Sequence, residues 1–123
     1  MTKNECIRVF ADPDHIAECR EVVQESASRV TSISEKLSLI ANEVRFTLLM
    51  ILSDSGKQCV CDLSDILEMK VPAISQHLRK LKDGGLISNE RVGATVFYQI
   101  NESTMPLVQP LFEMVKQQKV SAK

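Results

Sequence analysis

The chain has no tryptophan, one tyrosine and four phenylalanines in 123 residues, so its core has to be built mainly from aliphatic side chains. It also lacks any apolar run approaching the ~18 residues that a membrane-spanning helix needs. The first residues, Met1-Thr2-Lys3-Asn4-Glu5-Cys6, contain no apolar stretch of the secretory type, which points to a cytoplasmic protein without membrane contact. Glycine is scarce, with four residues and no Gly-rich loop that could cradle a phosphate. The two histidines, His15 and His77, are 62 positions apart and make a poor acid/base dyad, so an enzyme is not expected. In a reducing compartment Cys6, Cys19, Cys59 and Cys61 read as thiols or metal ligands rather than as a disulfide framework.

The charge that is present is unevenly spread. The net charge is −1, a weak argument against a nucleic-acid partner until the chain is divided. Residues 1–69 carry seven basic against twelve acidic side chains, a balance of −5. Residues 70–91 carry Lys70, Arg79, Lys80, Lys82 and Arg91 against Asp83 and Glu90, a balance of +3. A basic segment on an acidic body is suited to phosphate contacts, and pairing of two chains would double it.

A single domain over 1–123 is expected from the length. Residues 1–11 read as an extended arm, and Asp12-Pro13 as the start of a helix to about Ser26, broken by the Ser/Thr-rich stretch 26–34. Ile33, Leu37, Ile40 and Ala41 follow at helical spacing. Phe46, Leu48, Leu49, Met50, Ile51 and Leu52 then form a nearly all-apolar helix at the centre of the core, ended by Ser55-Gly56.

A short helix with Leu63, Ile66 and Leu67 inward, a turn at Glu68–Val71 and a helix opened by Pro72 give a helix-turn-helix over 61–83. Ala73, Ile74, Leu78 and Leu81 supply the buried face of its second helix. Gly84-Gly85 stops that helix, and strands Leu86–Arg91 and Thr95–Ile100 make a hairpin wing over 86–100. A last helix over 103–119 carries Leu107, Leu111, Met114 and Val115 on one side, with Pro110 inside it as a source of a kink. The fold class is therefore mainly α with a small β-hairpin, a winged helix-turn-helix. Apolar surface left on the terminal helices is best buried against a second copy, giving a homodimer.

In such a fold the second helix enters the major groove of double-stranded DNA. The candidate DNA-facing residues are Lys70, Ala73, Ser75, Gln76, His77, Arg79, Lys80 and Lys82, with Arg91 on the wing. Gln76 can pair with adenine in bidentate fashion, and Lys70 can reach guanine or a phosphate. Arg79, Lys80 and Lys82 hold the backbone, and Arg91 reaches the adjacent minor groove or a phosphate. His77 precedes Leu78 and serves equally well as a hydrogen-bonded structural histidine.

Cys59-Val60-Cys61 stands directly upstream of this element. Positions i and i+2 of an ideal helix lie about 200° apart, so both sulfurs face one ion only if Cys59 precedes the helix. A helix N-terminus lowers the cost of deprotonating a thiol there. Cys6, on a polar arm with no packing role, is the natural third ligand. Cys19, on a helix, reads better as a small packing residue, although Cys19, His15, Asp12 or water could complete a shell. Cys6, Cys59 and Cys61 together would suit Cd²⁺, Pb²⁺, Hg²⁺ or As(III), and with a fourth ligand Zn²⁺.

Three segments carry a family resemblance: Cys59-Val60-Cys61-Asp62-Leu63, Ile74-Ser75-Gln76-His77-Leu78-Arg79-Lys80-Leu81, and the wing with Gly85-Leu86-Ile87 and Val96-Phe97-Tyr98-Gln99-Ile100. Over residues ~33–118 the chain resembles the ArsR/SmtB family of winged helix-turn-helix repressors. Within it, the cysteines resemble those of the cadmium/lead-responsive, CadC-like branch. The resemblance implies thiophilic metal binding at Cys59 and Cys61, an arm cysteine contributed by the other protomer, and an apo homodimer that blocks an operator and is released by metal. The chain departs from that pattern in four places. Phe10 stands where those sensors commonly have a second arm cysteine, and no cysteine occurs near Ser64. The last helix lacks histidine, and Glu68 occupies the turn position usually held by glycine. Two other functions fit parts of the sequence. One is a repressor of the same fold that senses oxidants or persulfide through its thiols. The other is a Cys-x-Cys metal carrier without a DNA role, which leaves the wing and basic helix unexplained.

Overall fold

The structure is a computed structural model that describes the backbone of residues 7–121 and the side chains of residues 7–117. The chain divides into two compact units, residues 1–34 and 35–123. In the first unit, residues 7–12 are irregular and lead into α1 (Pro13–Ile40). Asp12 caps that helix as expected: its Oδ1 accepts from His15 N at 3.1 Å and its carbonyl from Ile16 N at 3.0 Å.

The expected break at 26–34 is absent, and α1 continues for 28 residues. No proline or glycine occurs between Asp14 and Ser55, so nothing there obliges a helix to stop other than the residues at 41–42. Ser26 Oγ donates to Val22 O at 2.8 Å and Thr31 Oγ1 to Ala27 O at 3.1 Å. Back-bonding of this kind satisfies the hydroxyls within the helix, and the modest propensity cost of Ser and Thr is spread over many turns.

The second unit holds the core. Its α2 (Glu43–Ser55) is capped by Asn42, whose side chain accepts from Arg45 N, and ends at Gly56, where φ is 77°. As the apolar run requires, Leu48, Leu49 and Leu52 are buried, while Phe46 packs on Phe112 with ring centroids 5.3 Å apart and the ring planes tilted by 59°. A two-residue strand β1 (Gln58–Cys59) precedes α3 (Val60–Leu67), and α4 (Val71–Asp83) completes the helix-turn-helix. Ile74, Leu78 and Leu81 of α4 are buried as expected and Ala73 is partly so, but Ile66 of α3 is 52 % exposed. In so short a helix Leu63 alone is fully buried, packed in the same cluster as α4's leucines.

The turn between α3 and α4 is a Schellman closure. Glu68 N donates to Asp65 O at 3.3 Å and Met69 N to Ser64 O at 3.1 Å, with Glu68 left-handed at φ 54°, ψ 45°. Among the described residues it is the one non-glycine with positive φ. Ser64 Oγ also donates to Met69 O, so a side chain fastens the turn that a glycine would otherwise relax.

The wing consists of β2 (Ile87–Val92) and β3 (Thr95–Ile100), joined by Gly93-Ala94 with Gly93 at φ 66°. A positive φ at the first central position is what a two-residue hairpin asks of glycine. The sheet has three strands rather than the expected two, in the order β1-β3-β2, all antiparallel. A two-residue strand has too few positions to show alternation, so β1 left no pattern in the sequence.

A 3₁₀ turn (Glu102–Thr104) leads to α5 (Met105–Ser121), which passes through Pro110 as one continuous helix. Its buried side is Val108 and Phe112, preceded by Thr104, whose hydroxyl donates to Leu86 O at 2.8 Å. Met114 and Val115, expected on the same face as Leu107 and Leu111, are exposed. The reason is register: positions 104, 108 and 112 recur at i+4 and occupy the stripe toward the core.

Candidate nucleic-acid interface and thiol pair

Exposure of α4 follows from its buried stripe. With Ile74, Leu78 and Leu81 inward, Gln76, Arg79, Lys80 and Lys82 are exposed, as is the N-cap Lys70, and Ser75 is partly exposed beside Ala73. Lys80 and Lys82 stand in the last turn, where a cation also suits the negative end of the helix dipole. Arg79 reaches Asp83 at 4.0 Å, but both ends are so exposed that the contact leaves Arg79 free to exchange partners. Arg91 is exposed on β2. The expected interface residues therefore fall on one helix and one hairpin arm, with no cationic group buried.

His77 of α4 is half-buried, as Ser75 is. Its Nδ1 lies 3.5 Å from Arg45 Nη1, and Arg45 Nε donates to Leu39 O at 2.7 Å. A guanidinium has only hydrogens to offer, so Nδ1 is the accepting nitrogen. Burial, then the charges of Arg45 and Lys80, push the His77 pKa below its ordinary 6.5. Arg45 went unnoticed in the sequence, since an arginine 32 positions before a histidine carries no local signal; its place on α2 under α4 becomes visible only in the fold.

Cys59 is the N-cap of α3, extended at φ −89°, ψ 164°, and half-buried; Cys61 lies exposed in the first turn. Cys59 therefore precedes the helix, the condition under which two cysteines one residue apart escape the opposite-face geometry. Both line one cleft of about 290 Å³ with Val60 and the wing residues Ala94, Thr95 and Val96. Among the described residues no group of three or more His, Cys, Asp or Glu side chains is drawn together, and Cys6 lies outside the described residues. Cys19 is exposed instead of packed, with Sγ 3.7 Å from Nε2 of His15, one turn earlier on α1. His15 is exposed as well.

Comparison with known proteins gives the same architecture. Residues 42–89, from the cap of α2 to the start of the wing, match the bacterial regulatory protein, arsR family. The arsenical resistance operon repressor of Escherichia coli K12 is 36% identical over 63 residues, which cover 51% of this chain and 54% of that protein. A cadmium resistance transcriptional regulatory protein CadC homolog of Staphylococcus aureus is 28% identical over 114 residues, 91% of this chain and 92% of that one. The chain spans between about half and two thirds of the length of the first curated relatives it matches. Among solved structures, HlyU from Vibrio cholerae superposes with a TM-score of 0.66 at 30% identity, over 70% of this chain and 94% of that one. With the same helix-turn-helix and wing in the same order, the chain belongs to the ArsR family of winged helix-turn-helix regulatory proteins.

Proposed function

We propose that the protein is a homodimeric transcriptional repressor that binds operator DNA through α4 and the wing and releases it when a thiophilic metal ion binds Cys59, Cys61 and Cys6. The observation that carries this reading is the placement of Cys59 ahead of α3, with both thiols on one cleft. Two sulfurs so placed offer a soft half-site, and Cys6 supplies the third thiolate from the arm. Cd²⁺ and Pb²⁺ are favoured; Zn²⁺, As(III) and Hg²⁺ suit the same donors with other coordination numbers. Arsenical and cadmium resistance regulators among the relatives support a metal effector.

The DNA role rests on the exposed set Lys70, Gln76, Arg79, Lys80, Lys82 and Arg91, with Ala73 and Ser75 at the N-terminal end of α4, where base edges are read. His77 acts here as a positioning residue, held by Arg45. Dimerisation is supported by apolar side chains left at the surface: Val22, Val23 and Val30 in the first unit, and Leu37, Met114 and Val115 in the second. No helix among the described residues is long and apolar enough to cross a membrane.

The test is a Cd²⁺ titration of the reduced protein, following the ultraviolet sulfur-to-metal charge-transfer band. Loss of about a third of its intensity in Cys6→Ser is expected of a three-thiolate site. Cys61→Ser should keep DNA binding and lose metal-driven release; a variant still released at wild-type cadmium concentrations would exclude this site.

A further inference from the structure

The strand register places the thiol pair and the wing on one small sheet. Cys59 of β1 stands opposite Phe97 of β3, and Phe97 stands opposite Glu90 of β2. The next row of β3, Val96, faces Arg91 and also lines the thiol cleft. Strands in a sheet are about 4.8 Å apart, so Cys59 and the Arg91 row are separated by only about two strand spacings. A second tie runs alongside the ladder: Lys57 Nζ, two residues before Cys59, donates to Glu90 Oε1 at 3.0 Å.

The two thiols differ in how firmly they are held. Cys61 belongs to α3, two residues from Leu63, which is fully buried in the core. Cys59 belongs to a two-residue edge strand bonded to β3, and the hairpin from Asn89 to Thr95 is exposed at every position. A force that draws two sulfurs together moves the side with fewer packed contacts, since close-packed interiors resist deformation. Here that side is β1 with the hairpin attached to it.

We propose that the wing is the element through which effector binding at the thiol pair reaches DNA: closure of Cys59 and Cys61 on one ion pulls β1, turns the β3–β2 hairpin, and withdraws Arg91 from the duplex. This rests on the reading of Cys59 and Cys61 as effector ligands. The sequence order alone points instead to the reading helix, because α3 runs directly into α4. In the fold, α3 and α4 share a core through Leu63, Ile74, Leu78 and Leu81, whereas the wing is joined to the sensor by main-chain hydrogen bonds and an ion pair.

The experiment measures affinity for a palindromic duplex selected by the apo-protein from a randomised pool, with and without Cd²⁺, for the full chain and for Arg91→Ala and Cys61→Ser. Coupled sites of this kind typically give the wild type a loss of about 5- to 150-fold on cadmium addition. Arg91→Ala is expected to bind more weakly at the outset and to lose less than about twofold more, because the contact that cadmium removes is already gone. An undiminished cadmium effect in Arg91→Ala overturns the role of the wing and assigns the coupling to α4. Release of Cys61→Ser by cadmium overturns the effector site itself, a separate failure. Should Arg91→Ala bind too weakly to measure, amide hydrogen exchange decides: cadmium is expected to change exchange in residues 87–100 of the wild type but not of Cys61→Ser. A change confined to residues 71–83 refutes the proposal.

Discussion

Glu68 is held in the left-handed region at φ 54°, ψ 45°, and its side chain is exposed. For a residue with a Cβ this conformation costs roughly 1–2 kcal/mol. Its carboxylate also sits at the C-terminus of α3, the negative end of the helix dipole, where an anion is unfavourable by about 0.3–1 kcal/mol. Glu68→Gly removes both penalties and forfeits no packing, while the extra freedom of glycine in the unfolded chain returns about 0.5–1 kcal/mol. The balance is a variant more stable by roughly 1 kcal/mol. Urea denaturation at fixed protein concentration should show a higher midpoint with an unchanged slope. Glu68→Asn should move the same way by less, and Glu68→Val should lower the midpoint, because β-branched residues tolerate positive φ worst. A midpoint lowered by both glycine and asparagine would refute the strain argument and make the carboxylate itself a stabilising group.

Other substitutions test the remaining parts. Leu63→Ala should cost about 2–5 kcal/mol by calorimetry or denaturant, as a fully buried leucine in the core beneath the thiol pair. Because the fold lowers the His77 pKa, the unfolded chain takes up the proton first as pH falls through 6.5. Stability from neutral His77 is thus complete above that pH and is lost below it, and His77→Gln should flatten the decline between pH 7 and pH 5. Gln76→Ala should cost about 1–3 kcal/mol on the preferred duplex and relax the choice of base at one position. Lys80→Ala should weaken binding on all sequences and reduce the salt dependence by about one ion.

Much of this architecture was legible because it is written in short-range signals. Asp12-Pro13, Ser55-Gly56, Pro72 and Gly84-Gly85 punctuate the helices where the structure starts and stops them, and the leucines of α2 and α4 mark the core. What escaped depended on longer-range relations or on mild preferences. The unbroken α1 arose because hydroxyls at Ser26 and Thr31 found acceptors inside the helix. The true inner face of α5 is set by Thr104 meeting Leu86, eighteen residues away. For the site, the residue types at 59, 61 and 76–82 were readable, but the joining of Cys59 to Phe97 and of Arg45 to His77 is a product of tertiary pairing.

The two-residue strand β1 has a further consequence for solubility. Without it, the outer edge of β3 would be a row of unpaired amides and carbonyls on Thr95–Ile100, a segment rich in strand-forming side chains. Such an edge is a template for another chain's strand. By occupying Phe97 and Tyr98, Gln58 and Cys59 interrupt that template at its middle, leaving no stretch long enough for a stable intruding strand. The segment that bears the thiol thus also guards the β3 edge of the sheet against pairing with another chain.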